Sequence, residues 1–136
     1  MGLCEVVDRV RILVNRDLRH RVGLTLPENL VLCQVAMAPQ RRLRMVDIAG
    51  TLAIAKSAVT KTVDRLEARG LLRRERDPAD RRTVYATLTP HGNDTFTAAQ
   101  PAFADAVHRH FASQISRAEL RQLQELPESV LSPGPR

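Results

Sequence analysis

Residues 56–71 read KSAVTKTVDRLEARGL and combine an apolar helical face with a polar one. Val59, Val63 and Leu66 follow one another at helical spacing, and Gly70 readily takes the left-handed conformation at which helices stop. The opposite face carries short polar or cationic side chains, namely Lys56, Ser57, Thr60, Lys61 and Asp64. The pattern predicts an amphipathic helix over residues 56–69 whose polar face differs from the Glu and Lys ladder of a merely solvated helix.

The segments on both sides of this helix predict a helix-turn-helix followed by a β-hairpin. Residues 45–52 hold enough apolar positions for a short helix, and residues 53–55 form a turn. After Gly70 the period changes, and residues 71–76 and 83–88 predict two strands around the turn DPAD. Three side chains of the second strand are expected to face inward: Val84, Ala86 and Leu88. Two short helices, a tight turn and a basic hairpin make a winged helix-turn-helix pattern.

An amphipathic helix and a capped second helix precede this module. Apolar side chains recur at intervals of three and four over residues 2–22, which predicts a first helix that ends at Gly23. Thr25 and Glu28 have the spacing of a capping box and open a second helix to about residue 38. Residues 40–44 predict a polar, basic connector whose arginines have no apolar partner in sequence.

Two further helices follow the hairpin. Thr89 and Pro90 form a favourable cap and first-turn pair, and they begin a long helix in which Pro101 predicts a kink or a later start. Ser116 and Glu119 form a second capping box that opens the last helix. The chain is therefore expected to be mainly α-helical with a small β-hairpin wing.

The positive charge of the chain is concentrated in one segment. The 136 residues include 21 Lys and Arg against 15 Asp and Glu, a net charge of +6. Residues 41–90 hold twelve of the basic and six of the acidic residues, so the remainder of the chain is neutral. Such a localised excess is expected of a protein that binds a polyanion, with nucleic acid as the leading partner. Hydrophobic residues make up 43% and aromatic ones 3%, which predicts one compact domain with an aliphatic core.

The sequence carries no signal for a membrane span, a metal site or catalysis. No apolar stretch reaches the roughly 18 to 20 residues that cross a bilayer, and charged residues interrupt the N-terminus, so we expect a cytoplasmic protein. Cys4 and Cys33 lie in separate segments without CxxC spacing. His108 and His110 point in different directions from a helix and cannot chelate one ion together. No catalytic grouping or phosphate loop appears, so neither an enzyme nor a cofactor is expected.

The predicted helix over residues 56–69 and the hairpin supply candidate DNA contacts. The major groove of B-DNA admits a helix whose first residues reach base edges, which makes Ser57, Thr60 and Lys61 the base-reading candidates. Arg82 at the wing tip is the candidate for the minor groove, and we expect Asp80 to pair with a tip arginine and hold it extended. Contacts to the phosphate backbone are assigned to Lys56, Arg65, Arg73, Arg74, Arg76 and Arg81.

Four short motifs carry a resemblance to a known family: DIA at 47–49, SAVTKTVDRLEARGL at 57–71, DPADRR at 77–82 and LT at 88–89. Together they resemble the MarR family of bacterial transcriptional regulators, over about residues 10–92. The resemblance places the family's wing aspartate and arginine on Asp80 and Arg82. It departs from the family at Ala55, where a polar residue usually caps the helix that reads DNA.

The resemblance implies a homodimer on duplex DNA. Residues 1–38 and 90–136 would form a helical dimerisation lobe whose first and last helices interlock, and residues 39–89 would form the winged DNA-binding lobe. Members of the family are more often repressors than activators, and they bind palindromic operators. Many release DNA when a small phenolic or other anionic ligand enters a cleft between the two lobes.

Two other functions remain open from the sequence. Cys4 lies near the start of the first helix and suggests a thiol-based redox sensor, although the neighbouring Glu5 disfavours a reactive thiolate. A non-specific architectural protein would carry the same basic segment and bind any duplex with similar affinity. Arg16 and His20, one turn apart on the first helix, are more typical of a solvated or interface position than of a carboxylate site.

Overall fold

The computed structural model describes residues 2–52 and 54–126 and is mainly α-helical. Residues 127–136, which belong to the expected dimerisation lobe, and Ala53 of the expected turn lie outside the described residues. The elements, in chain order, are α1 (Leu3–Val22), α2 (Leu26–Met37), β1 (Arg42–Arg44), α3 (Met45–Leu52), α4 (Lys56–Ala68), β2 (Leu72–Arg76), β3 (Val84–Leu88), α5 (Pro90–His110) and α6 (Arg117–Gln124).

The helix starts follow the predicted capping residues. The Thr25 hydroxyl accepts a hydrogen bond from the Glu28 backbone N–H while the Glu28 carboxylate accepts one from the Thr25 N–H, so both halves of the capping box form. The box of Ser116 and Glu119 at α6 is also present. Ala55 precedes α4 without a side-chain cap, as its methyl side chain dictates.

The three strands form one antiparallel sheet in which β3 lies between β1 and β2. The hairpin of β2 and β3 is the predicted wing, but β1 was not predicted. Residues 42–44 pair with β3 in the register Leu43 opposite Ala86, and Leu43 packs on the core. The sequence predicts only a polar, basic connector over residues 40–44, and the strand within it was missed because its partner lies more than forty residues away in sequence.

The strands of the wing are each one residue shorter than predicted at their first position. Leu71 is buried ahead of β2, and Thr83 donates its backbone N–H to the carbonyl of Asp80, so Thr83 belongs to the turn. Ala86 and Leu88 are buried as expected, and Val84 is half-buried. The wing thus has one face on the core and one toward solvent.

Helix α5 is continuous from Pro90 to His110 and includes Pro101. The alternative of a later start is therefore wrong. Thr89 caps the helix by accepting a hydrogen bond from the Gly92 N–H at 2.9 Å. No helix within residues 2–52 and 54–126 has the length and apolar character that a membrane crossing demands.

Two apolar clusters share α2. The larger one joins the sheet, α3 and α4 to one side of α2, where Val31, Leu32 and Val35 are fully buried. The smaller one joins α1 to α5 through Val14, Leu18 and Ala106, and also includes Leu26 at the start of α2. The winged module is therefore packed rigidly against the long helices rather than tethered to them.

Candidate nucleic-acid interface

Helix α4 turns its polar face to solvent because its apolar face is held in the core. Val63 and Leu66 have no exposed surface, and Val59 is 2% exposed. The opposite face carries the exposed side chains of Lys56, Ser57, Thr60 and Lys61. The structure thus brings together on one surface all three residues that the sequence predicts to read bases.

The wing tip is organised by two aspartates. Asp77 accepts a hydrogen bond from the backbone N–H of Ala79 at 2.8 Å. Asp80 accepts one from the backbone N–H of Arg82 at 3.1 Å and one from the Thr83 hydroxyl at 3.2 Å. The expectation that Asp80 pairs with an arginine side chain at the tip is therefore wrong. Asp80 instead fixes the backbone of Arg82, whose side chain extends into solvent.

The cations predicted to contact DNA fall into two groups. Three of them pair with carboxylates of the protein: Arg65 with Glu28 at 3.4 Å, Arg73 with Glu75 at 2.6 Å, and Arg74 with Asp64 at 2.7 Å. Hydrogen bonds from Arg73 and Thr87 hold the pKa of Glu75 below its ordinary value, which keeps that carboxylate charged. These three arginines present less net charge to a polyanion than the sequence suggests.

The second group has no acidic partner among residues 2–52 and 54–126. It consists of five cations on α4 and the wing, namely Lys56, Lys61, Arg76, Arg81 and Arg82. Arg76 donates to the Arg81 carbonyl at 2.9 Å, which braces the wing without neutralising either charge. These five cations lie at the start of α4 and around the wing tip. Arg41 and Arg42, where β1 begins, also lack a carboxylate partner in the described chain.

A basic cleft of about 500 Å³ joins these two regions. Thr60 of α4 lines it together with Arg76 and Arg82 of the wing. Arg44 also lines it, although it was not among the predicted DNA contacts. The available signal was the run of arginines over residues 41–44 within the segment of excess charge. Arg44 is held by Asp47 at 2.8 Å, and this hydrogen bond raises the pKa of the guanidinium.

A second cleft of about 540 Å³ lies between α1, α2 and α4, and we call it the interlobe cleft. Its apolar wall includes Leu26 and Leu30, and three cationic side chains also line it: Arg11, Lys61 and Arg65. No acidic residue of the described segments 2–52 and 54–126 lines this cleft. A small ligand with an apolar body and a negative charge matches this combination of surfaces.

A third, mostly apolar groove of about 740 Å³ runs between the start of α1 and α6, and we call it the terminal groove. Leu3 is 78% exposed there, and Val7, Leu123 and Leu126 are 40 to 45% exposed. Apolar side chains this exposed on two adjacent helices indicate an association surface.

The cysteines and histidines form no further site within the described chain. Cys4 is exposed on the first turn of α1, while burial raises the pKa of the Cys33 thiol. His110 forms a hydrogen bond with Asp17 at 2.6 Å, and His108 is exposed. No group of three metal-binding side chains occurs in the part of the chain that the structure describes.

The fold and the exposed basic surface define a winged helix-turn-helix protein. A model described as "MarR family" matches residues 22–83. The chain is 30% identical to the transcriptional regulator HosA of Escherichia coli O111:H- over 109 residues. This match covers 80% of this chain and 78% of HosA. The chain therefore belongs to the MarR family of transcriptional regulators, and the family expected from the sequence motifs is confirmed.

Two further proteins extend this comparison. YkoM of Bacillus subtilis strain 168, described as an uncharacterized HTH-type transcriptional regulator, is 39% identical over 80 residues, or 59% of this chain. The match spans 51% of YkoM, so the chain spans about half the length of that relative. Sco3205, a MarR family regulator from Streptomyces coelicolor crystallised in complex with DNA, has a TM-score of 0.87. Its sequence identity is 29%, with coverage of 94% of this chain and 80% of Sco3205.

Proposed function

We propose that this protein is a sequence-specific, duplex-DNA-binding transcriptional repressor that acts as a homodimer on a palindromic operator. The observation that carries the proposal is the alignment of unpaired cations on α4 and the wing, beside short polar side chains that reach outward from α4. Unpaired cations supply affinity through the phosphates, and the polar side chains supply specificity at base edges.

In this proposal the N-terminal half of α4 contacts both bases and phosphates. Ser57, Thr60 and Lys61 enter the major groove, where a hydroxyl or an ammonium group can bond to base edges. Thr60 already donates its hydroxyl to the Lys56 carbonyl at 3.0 Å, so its oxygen is fixed in direction and accepts from a base donor. Lys56, at the helix N-terminus, lies where a phosphate is also favoured by the helix dipole.

In the same proposal the wing binds the adjacent minor groove. Arg82 inserts there, since Asp80 fixes its backbone and leaves its guanidinium exposed. Arg76 and Arg81 contact the flanking phosphates, and Arg65, Arg73 and Arg74 do so more weakly because each already has a carboxylate partner.

The terminal groove is the proposed dimer surface. A second copy would bury the exposed leucines of α1 and α6, so residues 1–38 and 90–136 form the dimerisation lobe and residues 39–89 the DNA-binding lobe. A two-fold dimer presents two α4 helices in opposite directions. The operator is therefore an inverted repeat whose half-sites lie roughly 34 to 36 Å apart.

The interlobe cleft is the proposed site for a small anionic or phenolic ligand. Its apolar wall suits a ring, and Arg11, Lys61 and Arg65 suit a carboxylate or phenolate. Lys61 belongs to both the cleft and the base-reading set. A ligand that binds Lys61 therefore competes with DNA for the same side chain and releases the operator.

Selection of the purified protein against random duplex DNA at physiological salt tests the DNA-binding proposal. An enriched inverted repeat is expected, and small aromatic carboxylates such as benzoate should release it, while a cationic amine of similar size should not. Retention of duplexes without enrichment would instead indicate a non-specific architectural protein. Release by peroxide that is abolished by Cys4→Ser would support the redox alternative.

A further inference from the structure

Glu28 is a buried carboxylate at the start of α2 that contacts the α1–α2 turn and the end of α4. It is 5% exposed, and its Oε2 accepts the backbone N–H of Thr25 at 3.2 Å. A buried carboxylate requires hydrogen bonds and a countercharge to remain ionised. The countercharge comes from residues that lie far away in sequence.

These residues belong to the C-terminal end of the recognition helix, α4. The Arg65 Nε lies 3.4 Å from Glu28 Oε1, and the Arg69 Nη1 lies 3.2 Å from Oε2. Arg69 also donates to the carbonyl of Gly23 at 3.0 Å. One carboxylate therefore joins the α1–α2 turn, the first turn of α2 and the end of α4, and we call this cluster the Glu28 clasp.

Capping alone does not explain this arrangement. Glu119 completes a capping box at α6 with the same backbone hydrogen bond, and Glu5 occupies the corresponding position at α1. Both of those carboxylates are exposed, and neither has an arginine partner among the described residues. The burial and the two guanidinium contacts of Glu28 are therefore additional to its role as a cap.

The Glu28 clasp restricts the rotation of α4 about its own axis, which the apolar contacts of this helix do not. Val59, Val63 and Leu66 fix the depth of α4 in the core, but apolar contacts are non-directional and tolerate a small rotation about the helix axis. One charge-assisted hydrogen bond, from Arg69, and one ion pair, from Arg65, at this end of the helix restrict that rotation. Because α4 is rigid, its far end, with Thr60 and Lys61, is oriented by the same contacts.

We propose that Glu28 is a positioning residue for DNA recognition, which acts through Arg65 and Arg69 to set the rotation of α4 and hence the bases that Thr60 and Lys61 meet. This inference rests on the proposed function of α4 as the base-reading helix. Glu28 itself does not touch DNA.

The test compares Glu28→Gln with Asp105→Asn. Glutamine keeps the volume and an oxygen that accepts from Thr25, so the cap is retained while the charge is removed. Asp105 is a matched control because it also accepts from two arginines, Arg21 and Arg109, each at 2.7 Å, but lies on α5 away from α4. Both substitutions raise the net charge by the same amount. Glu28→Gln also frees Arg65 for phosphates, and the ratio of affinities for two duplexes cancels that non-specific effect.

Two measurements are made on each variant. Hydrogen exchange of the backbone amides over residues 62–71 reports how firmly the end of α4 is held, without reference to DNA. The ratio of affinities for the selected operator and a scrambled duplex, at one salt concentration, reports base reading. For Glu28→Gln we expect faster exchange and a ratio reduced about tenfold, a change of the size that one directed contact controls. Asp105→Asn should change neither.

The outcomes separate the inference from the proposed function. Unchanged exchange in Glu28→Gln, or faster exchange with an unchanged ratio, would overturn the role of Glu28. If the wild type prefers no duplex, the proposed function fails, and the exchange result still decides whether Glu28 holds α4. Should Glu28→Gln fail to fold, Arg69→Gln removes one ion pair from outside the core and must lower the ratio in the same direction.

Discussion

Gly92, in the first turn of α5, lies against the backbone of Leu71, so that a Cβ built on it would come 1.9 Å from the Leu71 carbonyl oxygen. The same carbonyl accepts hydrogen bonds from the backbone N–H and the hydroxyl of Thr89. The segment after α4, the start of the wing and the start of α5 are thus joined at one point where only glycine fits.

Gly92→Ala should therefore destabilise the protein strongly. The obstructing atom belongs to the backbone, so the helix must shift, and we expect a decrease of about 3 kcal/mol or more in the free energy of unfolding. Gly50→Ala is the control, because no atom lies within 4 Å of its Cβ position and it lies inside α3. That substitution should stabilise by about 0.5 to 1 kcal/mol. Urea denaturation measures both, and equal effects would refute the close approach.

Asp17 should make the stability of the α1–α5 pair depend on pH. The hydrogen bond from His110 is the main cause that lowers its pKa from 3.8, and Arg16 acts in the same direction. Because the pKa is lower in the folded protein, the stabilisation is present above 3.8 and is lost as the pH falls through the lowered value. Asp17→Asn should reduce the melting temperature near neutrality, with a difference from wild type that shrinks in acid. Asp8→Asn, at an exposed position of the same helix, is the control and should leave the melting temperature near neutrality close to that of wild type.

The terminal groove predicts which exposed residue of α1 controls association. Val7 lines the groove and is 45% exposed, whereas Ile12 is 66% exposed on another face of the same helix. Val7→Asp places a charge in the proposed interface, and we expect it to shift the protein to monomer at micromolar concentration. Ile12→Asp should leave the dimer intact. Sedimentation equilibrium distinguishes the two, and a monomeric wild type would contradict the dimer itself.

Short-range sequence signals were sufficient to predict most of the helix boundaries. The capping boxes at Thr25 and Ser116, the stop at Gly70 and the apolar spacing of α4 each act within a few residues, so the sequence predicts them directly. Strand β1 was missed because its hydrogen bonds go to β3, and the sequence of residues 42–44 alone does not indicate which segment they pair with.

The state of the charges in the site also depends on distant contacts. The sequence places Arg65 and Arg74 on the basic surface, but it does not show that Glu28 and Asp64 pair with them in the fold. The role of Asp80 was open to local reasoning, because an aspartate in a turn commonly accepts the backbone N–H two residues later, as it does from Arg82.

The wing is expected to contribute to operator affinity through Arg82. Arg82→Ala should weaken operator binding by about 1 to 3 kcal/mol, the range of a specific groove contact, and leave the dimer intact. Arg19→Ala removes the same charge from an exposed position of α1, so it controls for the change in net charge. Fluorescence anisotropy with a labelled operator measures both variants. Unchanged affinity of Arg82→Ala would remove the wing from the mechanism.

Thr60 and Lys61 should determine specificity more than affinity. Both side chains are exposed on α4, with Thr60 lining the basic cleft and Lys61 the interlobe cleft. Replacing them removes the proposed hydrogen bonds to base edges, while the unpaired cations of the wing still bind phosphates. The double substitution Thr60→Ala and Lys61→Ala should weaken operator binding by about 1 to 3 kcal/mol for each base that is no longer recognised. Random duplex should be affected only by the removal of one charge, which the salt dependence of binding reports as a slope lower by about one. If the affinities for operator and random duplex fall equally, both residues are backbone contacts and the bases are read from elsewhere on the surface.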